Sequence, residues 1–406
     1  MNLFLTESSN LISWMLFHIV KFVPRKKNKW VFGDRFKFVD NPKYLFIDVS
    51  ENHKEIRSIW IARRKEDVKI VSSLHFEVYY RYSLKGLYHS LTAGVFIFDH
   101  SVSDINKFTF GGAYLVNLWH GSSVKKVRWQ AKDYYVRKFH LKDANEMESF
   151  KFKIMQYCHL FVKTDLLLAP SEIQANTFFS PMLRVPINDV VVGVFPRSKL
   201  MIEGEKRAFD FISRYEPDSA ASFIKKISHY KKRYIYMPTW RLNNIDFIQD
   251  AGINWEVLND ELHKKNELLI LKFHPLTRID FDSLSKFENI CIFPPECDIY
   301  TIYPFIDCLI TDYSSVYTDF LIMNKEVIFF LFDFEDYMKK SYDLEEYDKY
   351  YRGIRAWNFT QLLEIIKSDI DCHVPNDEYT SLMNFFWDSN KKNIDLAEVI
   401  KDRLKI

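Results

Sequence analysis

The chain has few cysteines and little net charge, and each shortage excludes a class of protein. Its 406 residues contain 5 cysteines without CxxC or Cys/His spacing, so the sequence predicts reduced cytosolic thiols and neither disulfides nor zinc. The cysteines are Cys158, Cys291, Cys297, Cys308 and Cys372. A formal net charge of +2 provides no global basic field, which argues against a nucleic-acid partner.

A hydrophobic run long enough to cross a membrane is also missing from the N-terminus. The segment "LISWMLFHIVKFV" (11–23) is shorter than the roughly 20 residues that a membrane span requires. Its positive charge follows the apolar run, in "KFVPRKKNKW", which is the reverse of a signal peptide. The pattern predicts an amphipathic helix lying on an anionic membrane surface. An ordinary core helix followed by a solvated basic loop fits the same residues.

Several familiar enzyme signatures do not occur in the sequence. There is no Walker loop, GxGxxG, HExxH or GxSxG motif. The acidic run "DLEEYDKYY" (343–351) is typical of a solvated helix face. The sequence therefore predicts no metal site and no cofactor.

Short apolar runs that alternate with helical patterns make up most of the chain. With 48% hydrophobic residues, this length predicts two α/β domains, residues 1–199 and 200–406. We expect two Rossmann-type doubly wound domains facing a central cleft. The predicted strands are 29–34, 44–49, 57–62, 68–71, 93–99, 113–119, 160–170, 189–194, 230–238, 267–275, 289–295, 307–312 and 326–333.

Polar residues at strand ends mark candidate sites, because ligands of such sheets bind beyond the carboxyl ends of the strands. "YLVNLWHGSS" ends one strand with His120, and Gly121 lets the backbone turn tightly. "LKFHP" ends another with His274. "YMPTWR" offers Thr239 and Arg241, and arginine holds phosphate oxygens well.

The segment "LITDYSSVYTDF" (309–320) passes from a strand into a helix through polar residues. Ser314 or Ser315 can cap that helix, whose exposed N–H groups would form an anion site. Asp319 could accept a hydrogen bond from a ribose or polyol hydroxyl. A plain N-cap that serves only the fold is the alternative.

These motifs resemble, in order, those of the CDP-glycerol glycerophosphotransferase family, whose enzymes build teichoic acids and related polyol-phosphate polymers. The matching stretches are "PRKKNKWVF", "DNPKYLF", "NLWHGSSVKK", "TDLLLAPS", "GVFPR", "MPTWR", "KFHP", "TDYSSVYTDF" and "YDLEEYDKYYRG". The resemblance implies a GT-B-like fold in which the second half binds the CDP-activated donor and the first half receives the acceptor.

The resemblance also implies roles for individual residues. His120 and His274 match the two histidines of the family, with His120 as base and His274 at the diphosphate, or the reverse, and Asp165 is a further catalytic candidate. The implied donor-binding residues are Thr239, Arg241, Ser314, Ser315, Asp319, Arg352 and Gly353. The implied phosphate or acceptor contacts are Gly121, Lys125 and Arg197.

Three departures from the family pattern concern the choice of substrate. After the WHG motif the family usually has Thr-Pro, whereas this chain has Ser122–Ser123. After the arginine of the PTWR motif it commonly has Asp, whereas this chain has Leu242. After the RG motif it usually has an aromatic pair, whereas this chain has Ile354–Arg355. These changes leave open which polyol is carried and which acceptor is used.

The resemblance implies transfer of glycerol phosphate or ribitol phosphate from CDP-glycerol or CDP-ribitol to a lipid-linked or polymer acceptor, with release of CMP. It places the enzyme in teichoic-acid-like or capsule synthesis, in the cytoplasm and peripherally on the inner face of the cell membrane. Two alternatives stay open at this point. One is a GT-B glycosyltransferase that uses a nucleotide sugar, and the other is a non-catalytic relative in a polymer-export assembly.

Overall fold

A computed structural model of the chain describes residues 3–130, 154, 161–241, 247–274, 277, 281–340, 344, 346–388 and 394–406. Cys158 and Leu242 lie outside the described residues, as do parts of the basic stretch 125–132 and of the acidic run 343–351. The chain divides into two compact units, the first formed by Met1–Arg197 and Phe385–Ile406 and the second by Ser198–Asn384. Residues 385–406, predicted as part of a second domain 200–406, thus lie in the first unit.

The first unit is built on a parallel sheet of seven strands in the order β3-β2-β1-β4-β5-β6-β7. The strands are β1 (Lys26–Phe32), β2 (Arg57–Ala62), β3 (Val78–Tyr80), β4 (Ala93–Phe98), β5 (Tyr114–Asn117), β6 (Leu166–Ala169) and β7 (Val190–Val192). Chain order reverses between β1 and β4, and such a reversal is where doubly wound sheets bind ligands.

The helices before the second unit are α1 (Leu3–Val20), α2 (Asp40–Asn52), α3 (Lys65–Ser73), α4 (Leu84–Thr92), α5 (Glu172–Gln174), α6 (Ser180–Leu183) and α7 (Pro196–Glu203). A π-helical turn, Ala175–Phe179, joins α5 to α6, and 3₁₀ turns occur at Val102–Asp104, Arg128–Gln130 and Ile187–Asp189. Helix α7 contains the boundary between the units. Within the described part of the chain, every helix falls short of the length and apolar character needed to span a bilayer.

The core of the first unit lies on both faces of its sheet. Val31 and Phe96, on neighbouring central strands, are fully buried, which is why these strands read as continuous apolar runs. Burying each such side chain contributes about 1.5–3 kcal/mol. The end of the chain returns to this unit: the rings of Phe195 and Trp387 are 5.6 Å apart, and Ser171 Oγ donates to the carbonyl of Phe385 at 2.6 Å.

The second unit repeats this plan with a parallel sheet of six strands in the order β10-β9-β8-β11-β12-β13. The strands are β8 (Lys232–Tyr236), β9 (Glu267–Leu271), β10 (Ile290–Ile292), β11 (Cys308–Thr311), β12 (Glu326–Phe330) and β13 (Ile354–Ala356). Here chain order reverses between β8 and β11. Ile310 and Phe330 are among the buried residues at the centre of its core.

The helices after α7 cover the second sheet or complete the first unit. They are α8 (Glu205–Tyr215), α9 (Asp218–Ile227), α10 (Phe247–Asp250), α11 (Trp255–Lys265), α12 (Phe281–Leu284), α13 (Ile299–Ile302), α14 (Val316–Ile322), α15 (Phe334–Lys340), α16 (Tyr347–Tyr350), α17 (Phe359–Ser368), α18 (Asn376–Phe386) and α19 (Leu396–Leu404). A 3₁₀ turn, Tyr303–Phe305, follows α13. Helix α19 belongs to the first unit.

Two predicted strands are wrong, since residues 44–49 lie in α2 and residues 68–71 lie in α3. In α2 the apolar run from Tyr44 to Ile47 is buried on every side, and a short continuous apolar run does not distinguish a buried helix from a strand. In α3 the acidic residues Glu66 and Asp67 occupy the first turn, which favours the helix through its dipole.

Candidate functional site

His120 lies at the carboxyl edge of the first sheet, three residues beyond β5. The chain reaches it through Trp119, whose φ of +54° is unusual for a bulky residue and costs about 1–3 kcal/mol. Two asparagines hold this conformation: Asn117 Oδ1 accepts from the Trp119 N–H at 2.9 Å, and Asn41 Nδ2 donates to the Trp119 carbonyl at 2.7 Å. Gly121 follows with φ +145°, a value that glycine adopts readily.

Arg197 fixes the same turn from the start of α7. Its Nη1 donates to the His120 carbonyl at 3.1 Å and to Asp40 Oδ1 at 2.6 Å, and its side chain is almost entirely buried. Arg197 was predicted to contact phosphate or acceptor, and the structure places it beneath His120, bound to a carboxylate. Such a buried, charge-assisted pair rigidifies the turn.

The imidazole of His120 is held in a state suited to a base. Burial, followed by the positive charge of His100, Arg197 and Arg128, lowers its pKa well below the ordinary value. The ring stacks on that of Trp119 at 4.5 Å and lies against that of His100, with ring centroids 4.2 Å apart. Lowering the pKa of a histidine favours its unprotonated form, which is the form that accepts a proton, but it also makes the imidazole a weaker base.

Three buried carboxyl groups surround this histidine pair at the reversal point of the first sheet. Asp34 follows β1, Asp99 follows β4, and Asp104 ends a 3₁₀ turn. Within the described residues, Asp34 Oδ2, Asp99 Oδ2 and Asp104 Oδ1 have no hydrogen-bond partner. Burial raises the pKa of all three, and the charges of Asp99 and Asp40 raise that of Asp34 further.

A metal is not assigned to this group. Carboxyl and imidazole atoms of Asp34, Asp99 and His100 lie within 4.8 Å of one another. Burial and mutual repulsion favour the protonated carboxyls here, and a cation would have to displace those protons in order to bind.

The other first-unit candidates lie in different surroundings. Lys125 follows the turn, and its carbonyl accepts from Ser123 Oγ at 2.9 Å. Ser122 and Ser123 are buried, and the Ser123 N–H donates to Gln174 Oε1 at 2.9 Å. The serines that replace the usual Thr-Pro thus help to anchor the turn.

Asp165 is not brought to His120. It precedes β6, and its Oδ2 accepts from the N–H of Leu115 at 2.8 Å, near the start of β5. Because parallel strands begin at one edge of a sheet and end at the other, Asp165 lies at the edge opposite His120. Its contacts are those of a residue that joins two strands.

In the second unit, the loops after β8 and β11 meet at Asp312. Its Oδ1 accepts from the N–H groups of Thr239 at 2.8 Å and Tyr313 at 2.5 Å, and its Oδ2 accepts from Arg241 Nη2 at 2.9 Å. Asp312 is buried. The structure therefore brings together the "MPTWR" and "TDYSS" motifs through one carboxylate.

Arg241 is enclosed by protein groups. It forms a two-pronged pair with Asp333 at 2.8 and 2.9 Å, and its Nη1 donates to the Thr239 carbonyl. The rings of Tyr313 and Tyr337 lie 5.0 and 4.8 Å from its guanidinium carbon. Burial lowers the pKa of Arg241, but the charges of Asp312 and Asp333 outweigh burial and hold it above the ordinary value.

The serines at the start of α14 do not cap it in the usual way. Ser315 precedes the helix without accepting a capping hydrogen bond and is exposed, whereas Ser314 Oγ accepts from the Val316 N–H at 3.3 Å. Asp319 is buried one turn into the helix. The hydroxyl of Ser315 is thus presented to solvent at the carboxyl edge of β11.

His274 lies three residues beyond β9, the strand on the other side of β8 from β11, and is exposed. Its ring stacks on that of Trp240 at 4.9 Å, and partial burial together with the charge of Lys272 lowers its pKa. Nearby polar atoms are buried and lack hydrogen-bond partners within the part of the chain that the structure describes. They are Tyr236 Oη, Thr239 Oγ1, Trp240 Nε1 and Thr277 Oγ1.

Arg352 and Gly353 lie next to β13. Arg352 is exposed, 4.0 Å from Glu378, and its carbonyl accepts from Tyr317 Oη at 3.4 Å. Gly353 has φ +147°, and a Cβ there would lie 3.2 Å from the ring of Phe329, so no larger residue fits easily. Of the two candidate arginines in the second unit, Arg352 is the exposed one.

The family model of CDP-Glycerol:Poly(glycerophosphate) glycerophosphotransferase matches residues 15–392, which include every candidate above. The chain belongs to this family. The resemblance inferred from the motifs is thereby confirmed.

Relatives within this glycerophosphotransferase family differ in the polyol that they carry. A teichoic acid poly(glycerol phosphate) polymerase from Bacillus spizizenii is 26% identical over 80% of this chain and 78% of its own length. A teichoic acid poly(ribitol-phosphate) polymerase from the same organism is 24% identical over 95% of this chain and 58% of its own length. This chain thus spans much of the first relative but little more than half of the second.

The fold is confirmed by a solved structure. The wall teichoic acid polymerase TagF matches 99% of this chain and 96% of its own, with 17% sequence identity and a TM-score of 0.72. The predicted GT-B-like class with two Rossmann-type units is therefore correct. At this level of identity the likeness concerns the fold.

Sequence reasoning missed the residues at the reversal point of the first sheet. Asp34 ends "KWVFGD", and Asp99 and His100 end "AGVFIFDH", so the strand-end rule applied to His120 would also have found them. Asp312 and Asp333 were missed for another reason. Their role follows from their contact with Arg241, which is distant in sequence.

Proposed function

We propose that this glycerophosphotransferase moves glycerol phosphate or ribitol phosphate from a CDP-polyol to a lipid-linked or polymer acceptor, with release of CMP, in the synthesis of a teichoic-acid-like or capsule polymer. The observation that carries the proposal is the position of His120, held in a fixed turn at the carboxyl edge of the first sheet, in a chain matched by the family over residues 15–392.

In this mechanism, His120 accepts the proton of an acceptor hydroxyl. The hydroxyl oxygen then bonds to the polyol-bearing phosphorus of the CDP-polyol, the bond from that phosphorus to the bridging oxygen breaks, and CMP leaves. The lowered pKa of His120 supports this role, since a base must be unprotonated before it acts. Proton acceptance by a positioned side chain contributes about 10²–10⁴ in rate.

The second unit supplies the donor site in this proposal. Arg352 is an exposed cation that can neutralise the diphosphate. His274 is an exposed imidazole that can donate a hydrogen bond to it, and Ser315 offers a hydroxyl. Arg241 acts indirectly, since its bonds to Asp312 and Asp333 fix the loop that carries Thr239. For phosphoryl transfer, positioning and charge stabilisation account for most of the catalysis.

We also infer that α1 associates with the inner face of the cell membrane. Ile12, Met15 and Ile19 are each at least half exposed along one side of the helix, and Phe22 just beyond it is 79% exposed. The opposite side is anchored to the unit through Phe17, whose ring is 5.2 Å from that of Phe110. An exposed apolar stripe on an anchored helix is the pattern of interfacial binding.

The membrane proposal is tested by sedimentation with anionic vesicles. The triple variant Ile12→Ser, Met15→Ser and Ile19→Ser is expected to lose most of its vesicle binding. Leu84→Ser is the matched control, since Leu84 is 88% exposed on α4. Equal sedimentation of the triple variant and wild type would contradict the proposal.

The reaction is tested by CMP release from CDP-glycerol and CDP-ribitol in parallel, with a crude lipid-linked acceptor and with the variants His120→Ala and His274→Ala. Release with one donor, lost in both variants, is the expected result. Release of a nucleoside diphosphate from nucleotide sugars would instead establish the glycosyltransferase alternative. The assay is repeated with EDTA, and we propose that activity persists, because the site charges come from the protein.

A further inference from the structure

His100 contacts His120 through the faces of the two rings. Asp99 and His100 leave β4, and Trp119 and His120 leave β5, the neighbouring strand, with Phe98 paired to Asn117. The two histidines therefore reach the same edge of the sheet side by side. Their ring centroids are 4.2 Å apart, and their planes are tilted by 31°. This geometry packs one ring on the other and forms no hydrogen bond between them.

His100 is itself fixed by several groups. Its Nδ1 lies 2.8 Å from Asp99 Oδ1, and its backbone N–H donates to Asp104 Oδ2 at 2.9 Å. Its carbonyl accepts from Arg128 Nη2 at 3.3 Å, and the ring of Phe36 contacts the imidazole edge-on at 5.6 Å. Because the ring and backbone of His100 are both held, it provides a rigid surface for His120.

We propose that His100, oriented by Asp99, is a positioning residue for His120: its ring packs against the His120 imidazole and fixes the direction in which that imidazole accepts a proton. The proposal rests on the function proposed above, in which His120 is the base. A base held in one orientation is worth far more than one that rotates, since a misplacement of 1 Å costs about 10²-fold in rate.

The charged groups around His120 also influence its pKa, so His100 is expected to affect the titration of His120. His100 is the largest of the positive neighbours that lower the pKa of His120, after burial itself. Removal of the His100 nitrogens should therefore raise the pKa of His120. The titratable and charged groups around the two histidines come from six elements or their ends: Asp34, Asp40, Asp99, Asp104, Arg128 and Arg197.

Two substitutions separate packing from charge. His100→Phe keeps a ring against His120 and removes both nitrogens, whereas His100→Ala removes the ring as well. His89→Phe is the matched control in the same unit, since the His89 ring stacks on Tyr79 at 4.7 Å and lies 3.9 Å from Glu77. All three are compared with wild type for thermal unfolding, so that a loss of fold is recognised.

The deciding measurement is the NMR titration of the His120 ring with ¹³C-labelled histidine, its signal assigned by its loss in His120→Asn. In His100→Phe, the titration midpoint of His120 is expected to rise by about 0.5–1 pH unit. In His100→Ala, the ring signals are expected to change as well, because the imidazole can rotate. An unchanged midpoint and unchanged ring signals in both variants would overturn the proposal.

Kinetics give a second readout. His100→Ala is expected to lower kcat for CMP release by roughly 10-fold to 100-fold, with the KM for the CDP-polyol within about 2-fold of wild type. His100→Phe should keep most of kcat and move the acid limb of the pH profile upward. A loss confined to KM would overturn the positioning role. Absence of CMP release in wild type would overturn the proposed function, and the NMR titration would still decide the role of His100.

Discussion

Asp34 and Asp99 end the two central strands of the first sheet, whereas loops joined by Asp312 and Arg241 follow the two central strands of the second. The carboxyls of the first pair are buried with oxygens that lack partners among the described residues, and burial raises the pKa of both. The guanidinium of Arg241 is instead neutralised by two carboxylates.

The two units have the same kind of fold, yet they hold different kinds of site at the carboxyl ends of their central strands. A group with a shifted pKa and unmet hydrogen bonds suits proton transfer. A neutralised network whose charged groups are all hydrogen-bonded, as those of Arg241, Asp312 and Asp333 are, suits the rigid placement of a ligand. We therefore expect substitutions in the first unit to change rate and pH dependence, and substitutions in the second to change donor affinity and stability.

The largest expected effect is on rate, in the first unit. His120→Ala should lower kcat by about 10²–10⁴-fold, because the acceptor hydroxyl loses its base, while the KM for the donor changes little. Steady-state CMP release measures both constants. His263→Ala, which removes an exposed histidine from the second unit, is the control and should leave both unchanged. A His120→Ala variant that weakened only donor affinity would show that the base lies elsewhere.

The second largest expected effect is on stability. It distinguishes Arg241 from Arg352, the two candidate arginines of the second unit. Arg241→Ala leaves Asp312 and Asp333 without their cation, and breaking a buried pair in this way costs about 3–5 kcal/mol of unfolding free energy. Arg352→Ala removes an exposed side chain, so it should weaken donor binding with little effect on stability. Urea unfolding and donor titration on the same preparations measure both. Equal stabilities of the two variants would refute the distinction.

The smallest effect is a pH dependence of stability in the first unit. The folded-state pKa of Asp34 is raised, so the folded state binds the more protons and loses stability as pH rises above about 4, the unfolded value. Asp34→Asn removes this loss, which amounts to about 1.4 kcal/mol per pH unit up to the raised pKa. The variant should therefore gain stability relative to wild type between pH 5 and pH 8, as measured by urea unfolding. A constant difference across that range would contradict the assignment.

The alternation of apolar runs and strand-end residues was enough to predict most strands of both sheets and the position of His120 just beyond a strand, but it missed the edge strands β3 and β13. It was not enough for the run 44–49, since a helix buried on all sides and a strand have the same composition. The contacts of Arg241 were also beyond the sequence. The sequence around an arginine at a strand end does not show whether its partner is a phosphate or, as here, a carboxylate 92 residues away.

Asp165 illustrates the opposite difficulty. Its motif correctly predicts a strand, but Asp165 precedes that strand and does not follow it. The sequence does not show at which edge of the sheet its carboxylate forms hydrogen bonds. His100 was recoverable in principle, as it ends a predicted strand in the same manner as His120.

The return of residues 385–406 to the first unit has a consequence for how the protein is made. The second unit is a contiguous stretch, and its sheet can form as soon as that stretch has left the ribosome. Most of the first unit is synthesised before it but lacks Trp387 and α19 until residues 385–406 have emerged as well. During translation, the unit that is started first is thus completed only after the whole of the second unit has been made.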